Sequence, residues 1–217
     1  MRSAVGVPPE LARRRNRVLR PRDAAGVYAH PRAELARLAR NHAASALATG
    51  YYALVPMHRL GDPTWKPAVD AAGLAIAQAD YGVDDVALVS VSAARHYGAI
   101  PRALGVSVVA VPKQRPALST LAGRVVFTRR DVSALDLQRI STELADGWVT
   151  TPEQTLLDLA ARPDLGQLAL VEISEAIRVL AQQADMALVE ELAAAQHHPG
   201  ALRRIRGLVQ GGVHVEP

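Results

Sequence analysis

Three prolines, Pro9, Pro21 and Pro31, punctuate the first 56 residues, which close on two short segments joined at Thr49-Gly50. Proline lacks an amide hydrogen and has a fixed φ, so it suits only the first turn of a helix. Each of these prolines therefore marks a start. The pattern from Pro9 to Leu19 is helical, with Leu11, Val18 and Leu19 apolar among arginines. Pro21 opens a second short helix, Arg22–Ala25, ended by Gly26, and Pro31 opens a third over Pro31–His42. In the third, Leu35 and Leu38 form an apolar stripe three residues apart, while Arg37 and Arg40 face elsewhere. Ser45–Ala48 and Tyr51–Val55 read as a small hairpin about Thr49-Gly50. Three short helices and a hairpin are the layout of a winged helix-turn-helix.

Charge sharpens this reading. Residues 1–40 hold ten arginines against Glu10, Asp23 and Glu34, a net of +7, whereas the other 177 residues carry a net of −3. A basic end on a mildly acidic body points to an anionic polymer as partner for that end. A helix fits the major groove and presents its first turns to base edges. On that geometry Tyr28, His30, Arg32, Arg37 and Arg40 face the bases or adjoining phosphates. Arg13, Arg14, Arg15, Arg17, Arg20 and Arg22 supply sequence-independent attraction to double-stranded DNA. The competing account is a three-helix cap with a solvated arginine face, since 23 of the 25 basic residues are arginine throughout the chain.

Gly61, Pro63 and Pro67 place a boundary near residues 58–63, giving a reader over 1–58 and a second domain over 63–217. Thr64 is expected to cap a helix from Trp65 to about Ala79 and Ser90–Tyr97 to form another, ended by Gly98. Val106–Val111 and Arg124–Thr128 read as buried strands, with two short ones in Leu135–Thr142 and Trp148–Thr150. Thr151-Pro152-Glu153-Gln154 is a helix start with a threonine cap closed into a box by Gln154. Helices follow at about Leu168–Gln182, Asp185–Gln196 and Pro199–Gln210, the last ending at Gly211-Gly212. The fold class is α/β in the α+β sense: an N-terminal winged helix-turn-helix, then a C-terminal domain with a small sheet and several helices.

Residues 86–130 contain no acid but hold Arg95, Arg102, Lys113, Arg115, Arg124, Arg129 and Arg130. Charges on sheet edges and loops that discourage edge pairing are the favoured explanation. Arg115, Arg129 and Arg130 remain candidate contacts to a partner or nucleic acid. Trp65 and Trp148 read as core anchors rather than base-stacking platforms.

The chain resembles the AbiEi antitoxin family, the antitoxin half of AbiE-type toxin–antitoxin pairs. The resemblance rests on three groups of residues. Arg22-Asp23, Leu35-Ala36-Arg37-Leu38 and Gly50-Tyr51-Tyr52-Ala53-Leu54 form the first. Leu88-Val89-Ser90, Ala93-Ala94 and His96-Tyr97-Gly98 form the second, and Trp148-Val149-Thr150-Thr151-Pro152-Glu153-Gln154-Thr155-Leu156-Leu157-Asp158 the third. It covers most of the chain and thins after about Gly166. It implies a winged helix that binds operator DNA and represses its own operon. It also implies a C-terminal domain that opposes a nucleotidyltransferase-like toxin. One departure is the charge-poor stretch Asn41–Thr49, where relatives have a more basic or β-branched wing strand; this leaves Tyr51 as the expected wing contact.

Other chemistry lacks its residues. There is no cysteine, so no disulfide and no thiol nucleophile. The seven histidines, among them His197-His198 and His214, lack zinc-site spacing, and no metal or cofactor is expected. Asp80, Asp84 and Asp85 about Gly82 read as a polar turn between two helices. Glu153 and Asp158 lie five apart on one helix, which puts them on different faces and makes a poor acid–base pair. No Gly-x-Ser-x-Gly or Walker loop is present, so an enzyme is not expected. No apolar run reaches 18 residues and no signal peptide is recognisable, so a cytoplasmic protein away from membranes is the expectation. The alternative of another class is an antitoxin that sequesters its toxin directly, with DNA binding secondary. A nuclease with a winged-helix targeting domain would need a strand-borne acid–acid–lysine cluster that the sequence does not offer.

Overall fold

The computed structural model describes residues 6–100 and 104–210. Arg102, Gly211-Gly212 and His214, named above, lie outside them, as does Arg2, one of the ten arginines of residues 1–40. The N-terminal part runs α1 (Pro9–Ala12), β1 (Val18–Leu19), a 3-10 turn (Pro21–Ala24), α2 (Pro31–Arg40), β2 (Ala44–Ala48) and β3 (Tyr51–Leu54). Its sheet has the order β1-β3-β2, all antiparallel. This is a winged helix-turn-helix, with α2 in the place of the third helix and β2–β3 as the wing.

The helix expected from Pro9 to Leu19 stops at Ala12. Beyond it, the Asn16 side-chain oxygen accepts from the Val18 amide at 2.8 Å, a local bond that competes with helix there. Val18 and Leu19 then pair with Ala53 and Tyr52 of β3. α2 ends at Arg40, where His42 takes a left-handed φ of 55° and the Ala43 amide reaches back to the Leu38 carbonyl at 3.0 Å.

The second part comprises α3 (Val69–Tyr81), β4 (Ala87–Leu88), α4 (Val91–His96), β5 (Val106–Val111), β6 (Leu118–Thr120), β7 (Gly123–Arg129), β8 (Leu137–Ser141), β9 (Asp146–Thr150), α5 (Pro152–Ala161), α6 (Leu170–Ala181), α7 (Met186–Ala195) and α8 (Pro199–Gln210). The mixed six-stranded sheet has the order β6-β7-β5-β4-β9-β8. β5 alternates faces as a strand must: Val108 and Ala110 join the core with α4–α8, and Val109 and Val111 join the core with α3. α3 starts four residues later than expected. Thr64 bonds Asp62 in a local turn instead of capping, and Pro67 disfavours helical backbone at the residue before it. Thr151 does cap α5 by accepting from the Gln154 amide, but the Gln154 side chain leaves the box to bond Asp136 and Gln196. Trp65 and Trp148 are partly buried against the core, Trp148 beneath the Arg139 guanidinium at 3.8 Å.

The two parts share one hydrophobic cluster. Val18, Leu47, Tyr51 and Ala53 of the small sheet pack with Leu74 and Ile76 of α3. Main-chain bonds reinforce it, Arg17 N to Leu144 O and Leu121 N to Leu47 O, both 2.8 Å. Packing explains part of the uncharged stretch Asn41–Thr49. β2 turns Leu47 into this core, while Ala43 and Ala44 pack in the smaller core beneath α2 and Ala46 is exposed. No helix among the described residues is long and apolar enough to cross a membrane.

Gly123 opens β7 at a φ of 139°, and a Cβ there would collide with the Gly105 carbonyl. Gly123→Ala is expected to destabilise the chain by roughly 1–3 kcal/mol, because rigid backbone rather than a flexible side chain stands in the way. Urea unfolding followed by circular dichroism checks this.

Candidate nucleic-acid interface

The arginine face is built on a small core of its own. Leu35 and Leu38 of α2 are fully buried against Leu11, Leu19, Ala24 and Leu54. That anchoring fixes the helix's rotation and leaves Arg32, Arg37 and Arg40 in solvent. Arg37 is steadied by Glu34 at 2.7 Å, an exposed pair a phosphate can displace at little cost. His30 precedes the helix and is exposed, whereas Tyr28 is half-buried against the same core, with burial raising its pKa. Arg13, Arg14 and Arg15 are exposed after α1, and Arg14 lies 3.6 Å from Asp23. Arg22 is exposed while donating to the Ala79 carbonyl at 2.6 Å.

One concavity gathers these elements. Arg20, Arg22, Arg32, Thr49, Gly50 and Tyr52 line a cleft of about 540 Å³ between the 3-10 turn, the start of α2 and the wing turn. Basic side chains from two helical segments thus stand beside the wing.

Three predicted contacts are engaged within the molecule as well. Arg17 donates to the Val55 carbonyl at 3.3 Å. Arg20 and Tyr51 converge on Asp80 of α3: the Arg20 guanidinium on one carboxylate oxygen, the Tyr51 hydroxyl on the other at 2.7 Å. Tyr51 is 7% exposed, and it also lines the cleft beside the wing. Burial raises its pKa, and donation to Asp80 raises it further. Arg115 completes the cluster, bonded to Asp80 and stacked 4.4 Å from the Phe127 ring centroid. Its charge is paired with Asp80, and its side chain keeps some access to water. Arg130 is likewise paired, with Asp158 at 2.9 Å, while Arg129 is exposed. Arg95 clamps Asp70 through two nitrogens, at 2.8 and 2.9 Å, and donates to the Leu104 and Val106 carbonyls.

Asp80 is the residue that sequence reasoning missed. The expected turn between two helices is instead a turn between α3 and β4, and Asp80 still lies on the helix. The signal was present: Ala72, Ile76 and Asp80 are spaced by four, so the carboxylate continues a buried row. Among the described residues, no three of His, Cys, Asp and Glu gather as metal ligands would.

The rest of the fold carries its own signature. Residues 86–210, more than half of the chain, match the family model described as the AbiEi antitoxin C-terminal domain. The chain belongs to the AbiEi antitoxin family. It is accordingly the antitoxin of a toxin–antitoxin system, a role that implies a toxin as partner. The matched part of this AbiEi chain runs from β4 through α8 and leaves the winged helix outside it. No curated protein matches the chain.

Proposed function

We propose that this AbiEi antitoxin binds double-stranded operator DNA through its winged helix, represses its own operon, and opposes a nucleotidyltransferase-like toxin through its second part. On this reading residues 1–58 are the reader and 63–217 the antitoxin domain. The observation that carries the DNA reading is the row of exposed arginines on α2, Arg32, Arg37 and Arg40, beside the cleft shared with Arg22 and the wing turn. α2 enters the major groove, where an arginine pairs with guanine or an adjoining phosphate. Arg13, Arg14, Arg15 and Arg22 contact the backbone and set register. Arg17 bonds within the reader, and Arg20 and Tyr51 tie it to α3 of the second part. Arg129 is the exposed member of the candidate partner contacts; Arg115 and Arg130 act within the molecule.

The test is a retardation assay of the full chain on DNA from upstream of its own gene, with salt varied. A specific complex whose affinity falls steeply between 50 and 200 mM salt is expected, since phosphate contacts release counterions. Equal affinity for unrelated DNA would defeat autorepression. Co-purification with the neighbouring gene product in high salt, without DNA binding, would favour sequestration of the toxin instead.

A further inference from the structure

Ser90 sits between β4 and α4 with φ 54° and ψ −129°, a backbone state that a residue with a Cβ rarely takes. It is 1% exposed, and its hydroxyl has no hydrogen-bond partner. Asp158 of α5 is also buried. One carboxylate oxygen takes the Arg130 guanidinium at 2.9 Å and the Gln154 amide at 3.2 Å, and among the described residues the other has no hydrogen-bond partner. Unpaired buried polar atoms are rare, because each forfeits its hydration. Here both residues line one cleft of about 450 Å³, a size that suits a small molecule.

The remaining lining sets the sign of the ligand. Among the described residues the Arg162 guanidinium bonds the Thr128 hydroxyl, at 3.4 Å, and the Arg204 guanidinium the Ala160 carbonyl. Among the described residues neither guanidinium has a carboxylate within ion-pair distance. Three guanidiniums therefore share the cleft with one carboxylate, which Arg130 already balances. The first turn of α8, Pro199 to Ala201, lines the same cleft and adds the positive end of a 12-residue helix. Val89, Ala161 and Leu165 supply an apolar wall.

We propose that this cleft is a binding site for a small phosphate monoester. Arg162, Arg204 and the Ser90 hydroxyl hold the phosphoryl oxygens, and a hydroxyl of the ligand donates to the free oxygen of Asp158. The site lies wholly within the family-matched part and is independent of the DNA reading.

The experiment titrates the full chain with ribose 5-phosphate, inorganic phosphate and ribose by calorimetry, with melting temperature as a second readout. Ribose 5-phosphate is expected to bind saturably, more tightly than phosphate, and to raise the melting temperature, with ribose inert. R162A/R204A is expected to weaken binding by at least about tenfold. S90G relieves the positive φ, so it should keep or raise the melting temperature while binding more weakly. R32A/R37A/R40A, on the arginine face, should leave binding unchanged. Absence of saturation by about 10 mM, far weaker than ordinary ligand affinities, would overturn the proposal. So would indifference to R162A/R204A, loss of binding in R32A/R37A/R40A, or equal affinity for phosphate and its ribose ester.

Discussion

Replacing Asp80 by alanine should cost the chain about 3 kcal/mol of stability, near the lower end for breaking a buried ion pair. The Asp80 side chain is 9% exposed and accepts from Arg20, Arg115 and Tyr51 together. Its loss leaves two guanidiniums and a buried phenol without their acceptor. The lower end applies because Arg20 and Arg115 each retain access to water, so part of their hydration is regained. At this chain length that energy corresponds to a melting-temperature drop of about 6–12 °C. Asp80→Asn keeps an acceptor without the charge and should fall between. Thermal unfolding of the three chains checks the order; an unaltered midpoint for the alanine variant would show that the cluster contributes nothing to the fold.

The second large effect is on binding. On the proposed reading, R32A/R37A/R40A should lower operator affinity by a hundredfold or more, since a single good bidentate contact is worth about 1–3 kcal/mol. The dependence of log affinity on log salt should flatten by up to roughly 0.9 for each phosphate that these arginines no longer neutralise. Stability should shift little, because all three side chains are exposed and the Arg37–Glu34 pair is worth only about 0.3–0.5 kcal/mol. Anisotropy titrations at several salt concentrations measure both quantities. An unchanged slope would remove α2 from the interface.

The sequence carries more about the elements than about where their charges go. Pro21, Pro31 and Thr49-Gly50 locate the helical turn, α2 and the wing because each acts through local backbone sterics. Leu35 and Leu38 mark the buried face of α2 because helical periodicity is likewise local. The end of α1 is less legible, since no glycine or proline marks it among Arg13–Arg17. Arg20, Tyr51 and Arg115 look like surface residues in a linear reading. Their common partner is distant in sequence, and only packing against α3 brings Asp80 among them. Ser90 presents the same difficulty. The linear reading places it in a helix, Ser90–Tyr97, whereas its unusual backbone and unpaired hydroxyl belong to the strand-to-helix corner.

The apolar seam that joins the small sheet to α3 makes the molecule a single lever rather than two beads on a string. If two copies sit on neighbouring operator repeats, the permitted spacing between repeats is dictated by the girth of the antitoxin portion, and lengthening the exposed segment at 57–62 leaves it unaltered.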